Sequence, residues 1–390
     1  MVRTGSELIT EQVDAYLPRM IEHRRRLHAR PEVGLALPET HDYLASALEA
    51  LALVPEIRPS GGLTVRLPGT ARAGRVRVLR ADMDALPLRE RTGLPYASEL
   101  GGAMHACGHD LHMAMLLGAA EMFQEHPPRH DVVLAFQPGE ESGRGALEVL
   151  KHANLHLGDE ASAFAIHVNA VLDSGVVAYR RGTFMGHGDW FKVVYTGPGG
   201  HASAPHLTGN PIEAIAEFVH RLSAVVADLG VREHLVATVT EVLSGNTVNV
   251  IPTVGTVRGT LRTASLDQRT RLHEALTLAA AKAAVVRRVD HRAEIVEGYP
   301  AVVGDDDFVG ALVEALCRVG LEEKLAPMAQ PSMVIEDFAY FLQKWPGAMV
   351  YLGAKVGSTP SFNHSDDVLF DETVMTTGLA LHALVASLDV

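Results

Sequence analysis

The densest reactive stretch of this 390-residue chain is Met104-His105-Ala106-Cys107-Gly108-His109-Asp110-Leu111-His112, with three histidines and one of only two cysteines. Cys107 and His109 flank Gly108, and an i,i+2 pair on a loop can present both side chains to one ion. A thiolate and an imidazole suit Zn²⁺ or a similar transition ion. A helix starting here would also lower the thiol pKa through its positive N-terminal dipole. Taken alone, the cluster fits equally well a loop with a buried cysteine and a capping histidine. Four further segments favour a metal. Asp82-Met83-Asp84 follows the run Arg75–Arg80, and Gly139-Glu140-Glu141 follows the run Asp131–Phe136. His167 ends the run Ala161–Ile166, and Asn363-His364-Ser365-Asp366-Asp367 comes after Ala348–Gly353.

Those four runs read as strands, and the residues that follow them sit at strand C-terminal ends. Open parallel sheets bind ligands outside that edge. A metal hydrolase needs ligands and a separate base for the attacking water. Glu140 and Glu141 could supply both, because neighbours on an extended backbone point oppositely. The same pair also fits an exposed helix start that complements the dipole of a helix from Gly145. His167 reads either as a ligand or as a satisfied core histidine. Asp82 or Asp84 suits a partner that orients a ligand imidazole. Asn363-His364-Ser365 also matches a glycosylation sequon, which in a cytosolic protein is chance.

The elements that must position these groups alternate. Helices are expected at Glu7 to Arg30, Pro38 to Leu53, His109 to His126 and Gly145 to Ala153, between the strands above and a short strand Leu63–Leu67. This order predicts an α/β fold with a mostly parallel mixed sheet flanked by helices. From Asp189 the pattern becomes strand, helix from about Asn210 to Leu229, strands His234–Val242 and Val254–Arg262, helix Leu266–Val286 and strand His291–Val296. That β-α-β-β-α-β order is ferredoxin-like. The predicted boundaries are residues 1–182 with 297–390 for a discontinuous catalytic domain, and 183–296 for an inserted α+β lid domain. In the insert, Gly199-Gly200-His201-Ala202-Ser203 places a histidine on a Gly-rich loop, where it reads as an oxyanion donor or a simple turn residue. Asn249 before Val250-Ile251-Pro252, and Arg262 at a strand end, read as a carboxylate clamp or as structural residues.

Composition narrows the function. The net charge is −13, and the apolar and charged fractions are 47% and 21%. Such a chain has core material to bury and is a poor nucleic-acid partner on electrostatic grounds. No apolar run approaches the ~18 residues of a membrane helix, and no signal peptide is read at the N-terminus. Two cysteines, Cys107 and Cys317, do not make a disulfide framework, so a cytoplasmic location is expected.

Together the segments Arg80–Leu88, Met104–His112, Phe136–Glu141, Gly199–His206, Asn249–Pro252, Gly259–Arg262, Glu336–Phe338 and Asn363–Ser365 resemble a known family. It is that of the binuclear-metal amidohydrolases of N-acyl amino acids: hippurate hydrolases, aminoacylases and auxin-conjugate hydrolases. These are related to the co-catalytic zinc carboxypeptidases. The resemblance implies two divalent ions, Zn or Mn with Ni or Co as alternatives, held by Cys107, His109, Glu141, His167 and His364, with Cys107 bridging. It implies Glu140 as general base toward a bridging water and Asp84 as a supporting residue. His201 would polarise the scissile carbonyl or bind its oxyanion, in relatives often from the partner subunit or after domain closure. Asn249 and Arg262 would hold the amino-acid carboxylate. A homodimer through the lid, and a small N-acyl amino acid as substrate, are implied as well. A dipeptidase or carboxypeptidase of the same metal family is the alternative. One departure is Pro331-Ser332-Met333-Val334-Ile335 before Glu336-Asp337, where many relatives have Gly-Ser. A cysteine-nucleophile enzyme built on Cys107 and His109 leaves the other polar segments unexplained.

Overall fold

The computed structural model describes residues 12–58, 62–71, 75–143, 145–152, 157 and 160–390. Residues 7–11 of the expected first helix, and Ala153 at the end of another, lie outside them. The chain divides into two compact units. One gathers Met1–Gly182, Val303–Ala329 and Asp337–Val390; the other gathers Thr183–Val302 and Gln330–Glu336.

The first unit is built on an eight-stranded mixed sheet. Its order is Glu56–Arg58, Gly62–Leu67, Asp131–Gln137, Val76–Asp82, Ala161–Asn169, Gly347–Gly353, Val177–Tyr179 and Leu325–Pro327. The four central strands, from Asp131–Gln137 to Gly347–Gly353, run parallel to one another. Val76–Asp82 and Gly347–Gly353 are buried along their whole length, as expected of central strands covered on both faces. Parallel neighbours end on the same edge, so Asp84, Glu140, Glu141 and His167 are delivered to one side of the sheet.

Helix His109–Glu125 packs in this core with every residue up to Phe123 buried. Helix Met375–Val385 is likewise buried except at Thr376. Leu17–Ala29 is a helix preceded by the 3₁₀ turn Val13–Tyr16. Among the described residues, no helix is long and apolar enough to cross a membrane.

The second unit has a four-stranded antiparallel sheet in the order Val236–Ser244, Val254–Thr263, His187–Thr196, Asp290–Tyr299. Helices Pro211–Glu233 and Leu266–Arg287 cover it through a core that includes Phe191, Tyr195, Phe218, Leu272 and Leu276. Chain order and strand order together are those of a ferredoxin-like unit.

Candidate metal and catalytic site

In the first unit the four strand ends and the His364 loop bring nearly all of the expected groups together. Cys107 Sγ lies 3.4 Å from His167 Nε2 and 3.3 Å from His364 Nε2. His364 Nε2 is 3.3 Å from Glu141 Oε1. Ligand-type atoms of Cys107, His109 and His167 fall within 4.8 Å of one another, and so do those of Cys107, Glu141 and His364. The two groups share one sulfur. A third such group, His109, Glu140 and Glu141, puts Glu140 beside both.

Local backbone makes this possible. Gly108 has φ +88°, and a Cβ there would stand 2.3 Å from Val168 Cγ2. Only glycine fits a turn that brings Cys107 back against the His167 strand and then starts a helix at His109. Gly139 turns the chain at φ +67° after the Asp131–Gln137 strand. Glu140 and Glu141 therefore stand on a turn and not on the extended backbone expected from sequence. Their two N–H groups are held by one carboxylate: Asp84 Oδ1 accepts Glu140 N at 2.9 Å and Oδ2 accepts Glu141 N at 3.2 Å. Asp84 thus orients the glutamate pair. It serves the imidazole through its backbone, since His109 Nδ1 donates to Asp84 O at 2.7 Å.

The protonation pattern suits cations. His109 Nδ1 is committed, and its buried Nε2 has no hydrogen-bond partner among the described residues. His167 donates Nδ1–H to Val168 O at 2.8 Å, which leaves Nε2 facing the thiol. Burial pushes His167 down to about 3, so it is a neutral ligand-type imidazole. Burial, with the charges of Asp82, Glu141 and Asp337, pushes the Asp84 carboxyl well above its usual range despite the Glu140 N–H. Buried carboxyl groups crowd one another here, and a bound cation would offset their repulsion. A soft sulfur, imidazoles and carboxylates grouped in this way fit divalent transition ions.

Residues 78–387 match the family described as peptidase family M20/M25/M40. The chain belongs to that family. A carboxypeptidase from Saccharolobus solfataricus, named thermostable carboxypeptidase 1, is 31% identical over 94% of each chain. An N-acetyldiaminopimelate deacetylase from Bacillus subtilis is 34% identical over 86% of this chain and 90% of its own. A Rhodococcus jostii protein provisionally named glutamate–cysteine ligase 2-3 is 36% identical, and the chain spans 46% of its length. Among solved structures, a dinuclear metal-binding M20 peptidase from Bacillus subtilis superposes with a TM-score of 0.82 at 29% identity, over 96% of this chain and 98% of that one. The expected fold and enzyme class, a metal-dependent amide hydrolase of the M20 type, stand on these matches.

Behind the candidate site lies a buried network that local sequence patterns do not announce. Arg80 pairs with Asp82 at 2.6 Å and with Asp337 at 3.0 Å, all fully buried. Asp82 Oδ1 accepts from His112 Nδ1 at 2.6 Å, and His112 Nε2 accepts the N–H of Val168 at 2.8 Å. His112, without a role on sequence grounds, thus braces the strand that carries His167. The one available signal was an arginine inside an apolar strand, since a buried Arg demands partners. His105 is buried, and neither ring nitrogen has a hydrogen-bond partner among the described residues.

The second unit holds the other three expected groups. His201 is not on a free loop: Gly200–His201 pairs antiparallel with Val250–Ile251, and Ala202 N donates to Asn249 O at 3.0 Å. Ser203 N donates to His201 Nδ1 at 3.1 Å, so the neutral ring carries its proton on Nε2. Asn249 is exposed, and its Oδ1 accepts from Thr247 Oγ1 at 3.0 Å. Arg262 stands elsewhere. Its register partner is Gly188 at the start of strand His187–Thr196, whereas His201 follows the end of that strand. Val254 and Arg262 are eight residues apart on one strand, or roughly 26 Å.

Proposed function

We propose that the chain hydrolyses the amide bond of N-acyl amino acids, releasing the acyl group as a carboxylate and the amino acid as an amine. The observation that carries this reading is the shared Cys107 sulfur between two ligand groups, with Glu140 alongside. Cys107, His109, Glu141, His167 and His364 would hold two divalent ions, Zn²⁺ or Mn²⁺ with Ni²⁺ or Co²⁺ as substitutes. Bound there, such ions supply Lewis acidity to the scissile carbonyl and acidify water. Glu140 takes the proton of the attacking water and returns it to the amine nitrogen as the C–N bond breaks. Asp84 keeps Glu140 and Glu141 in register through their N–H groups. His201 Nε2–H donates to the oxyanion, and Asn249 and Arg262 hold the substrate carboxylate.

His201 and Asn249 share one end of the second unit and Arg262 marks the other. One copy of this unit does not offer all three to one small substrate. The proposal therefore includes a homodimer in which a second copy lends His201 and Asn249. Strand Val236–Ser244 supports it: it forms one edge of its sheet and exposes Val242 and Leu243 by about half. Unpaired aliphatic edges invite strand addition. We further infer a cytoplasmic location, because a reducing compartment keeps a thiol ligand from oxidation.

The test is a panel of N-acetyl, N-benzoyl (hippurate included) and indole-acyl amino acids, with dipeptides alongside, after loading with each metal. Turnover of acyl amino acids, abolished by a chelator and restored by metal, is expected. Turnover confined to dipeptides favours the carboxypeptidase reading, which the Saccharolobus relative supports. No hydrolysis with any metal overturns both.

A further inference from the structure

A primary carboxamide offers one acceptor oxygen and two N–H donors, and Asn363 uses all of them on backbone groups beside the proposed ligands. Its Oδ1 accepts the N–H of Ala170 at 2.9 Å. Its Nδ2 donates to Cys107 O at 3.2 Å and to Val168 O at 3.1 Å. Exchanging oxygen and nitrogen would set an oxygen against two carbonyls and an amine against an N–H, so the partners themselves fix the orientation.

The contacts converge on the ligands. Val168 O also accepts Nδ1–H from His167, the bond that turns His167 Nε2 toward the Cys107 sulfur. Cys107 O belongs to the residue whose sulfur is shared. His364 follows Asn363 directly and sits at φ +72°, a conformation uncommon for a non-glycine residue. The N–H of His364 donates to Ala106 O at 2.9 Å, which seats that turn on the Cys107 segment. One side chain thus ties together the backbones that carry Cys107, His167 and His364, which reach the site from three separate parts of the chain. The same asparagine reads as a glycosylation sequon, yet its amide nitrogen is engaged twice.

We propose that Asn363 is a positioning residue for the two-ion site, holding three ligand-bearing segments at the separation the ions require. The proposal rests on the metal reading above. Outer partners of metal ligands commonly change affinity by about 10–100-fold when removed.

The test uses full-length wild type, N363A and N363D, stripped of metal, checked for folding by circular dichroism, and titrated with Zn²⁺ against a chromophoric chelator. N363A is expected to bind Zn²⁺ some 10–100-fold more weakly than wild type. N363D separates clamp from charge. An added carboxylate near a cation site would tighten binding by Coulomb attraction alone. On the clamp assignment it weakens binding, because the carboxylate faces two carbonyl oxygens. Co²⁺ loading gives a second readout, a shift in the thiolate-to-cobalt absorption of Cys107. If N363A does not fold without metal, N363S takes its place. A folded variant with wild-type affinity, or an N363D that binds more tightly, overturns the assignment. A wild type that binds no ion overturns the metal reading itself.

Discussion

Glu140 and Glu141 are chemically identical neighbours, and the proposed mechanism divides the work between them by their surroundings alone. Glu141 shares a ligand group with Cys107 and His364. Burial raises its pKa, but the His364 hydrogen bond and the nearby imidazoles outweigh that and hold it below the usual glutamate range. Glu140 is buried and stands beside His109, outside either cysteine-centred group. On the proposed mechanism, the residue outside those groups is the one that exchanges protons with substrate. Glu140→Gln should therefore keep both ions and the fold yet lose about 10²–10⁴-fold in kcat, the usual worth of a general base. Glu141→Gln should lose metal instead. Elemental analysis beside steady-state kinetics separates the two, and equal metal loss in both variants would reverse the division.

At the scale of elements, legibility followed sequence distance. The central strands could be read because a buried parallel strand is a continuous apolar run. The helix from His109 was legible because its apolar residues follow directly on the reactive cluster. Two features escaped. His201 looked like a loop residue because its strand partner, Val250, is 49 positions on. The Arg80–Asp337 pair joins residues 257 positions apart, and no local pattern encodes such a pairing. Helix Leu17–Ala29 was expected, inside Glu7 to Arg30, but the partners of its buried polar residues were not. It carries Arg24 and His28 one turn apart, both buried on Asp110, next to His109. Burial alone would lower His28, but the hydrogen bonds and charge of Asp110 and the bond to Glu90 raise it to about 9. His28 is thus held protonated between two carboxylates. A pKa raised in the folded state contributes stability that is whole below pH 6.5 and lost as pH climbs through about 9. At about 1.4 kcal/mol per pKa unit the loss is on the order of 3 kcal/mol. Wild type should lose thermal stability over that window, and His28→Gln should flatten the slope. Parallel curves for the two proteins would sink this account.

For the whole molecule, the proposed mechanism turns on whose His201 would serve which Glu140. The ferredoxin-like unit sets His201 and Asn249 at one end of its sheet and Arg262 at the other. The unit also leaves the Val236–Ser244 edge without a partner strand among the described residues. If two copies join along such edges, two-fold symmetry makes each copy donor and acceptor at once. Complementation between two dead variants tests this directly. Glu140→Ala lacks the base but keeps His201, and His201→Ala lacks the oxyanion donor but keeps Glu140. Mixed and allowed to exchange subunits, they form hybrid dimers in which one site has an intact Glu140 and receives an intact His201 from its neighbour. Random pairing makes half the dimers hybrid with one working site each, so about one quarter of wild-type activity should return. Where each chain uses its own His201, no combination restores a complete site, and the mixture stays as inactive as its parts. A charge placed on the edge, Leu243→Lys, should weaken the dimer in sedimentation and abolish the recovered activity with it.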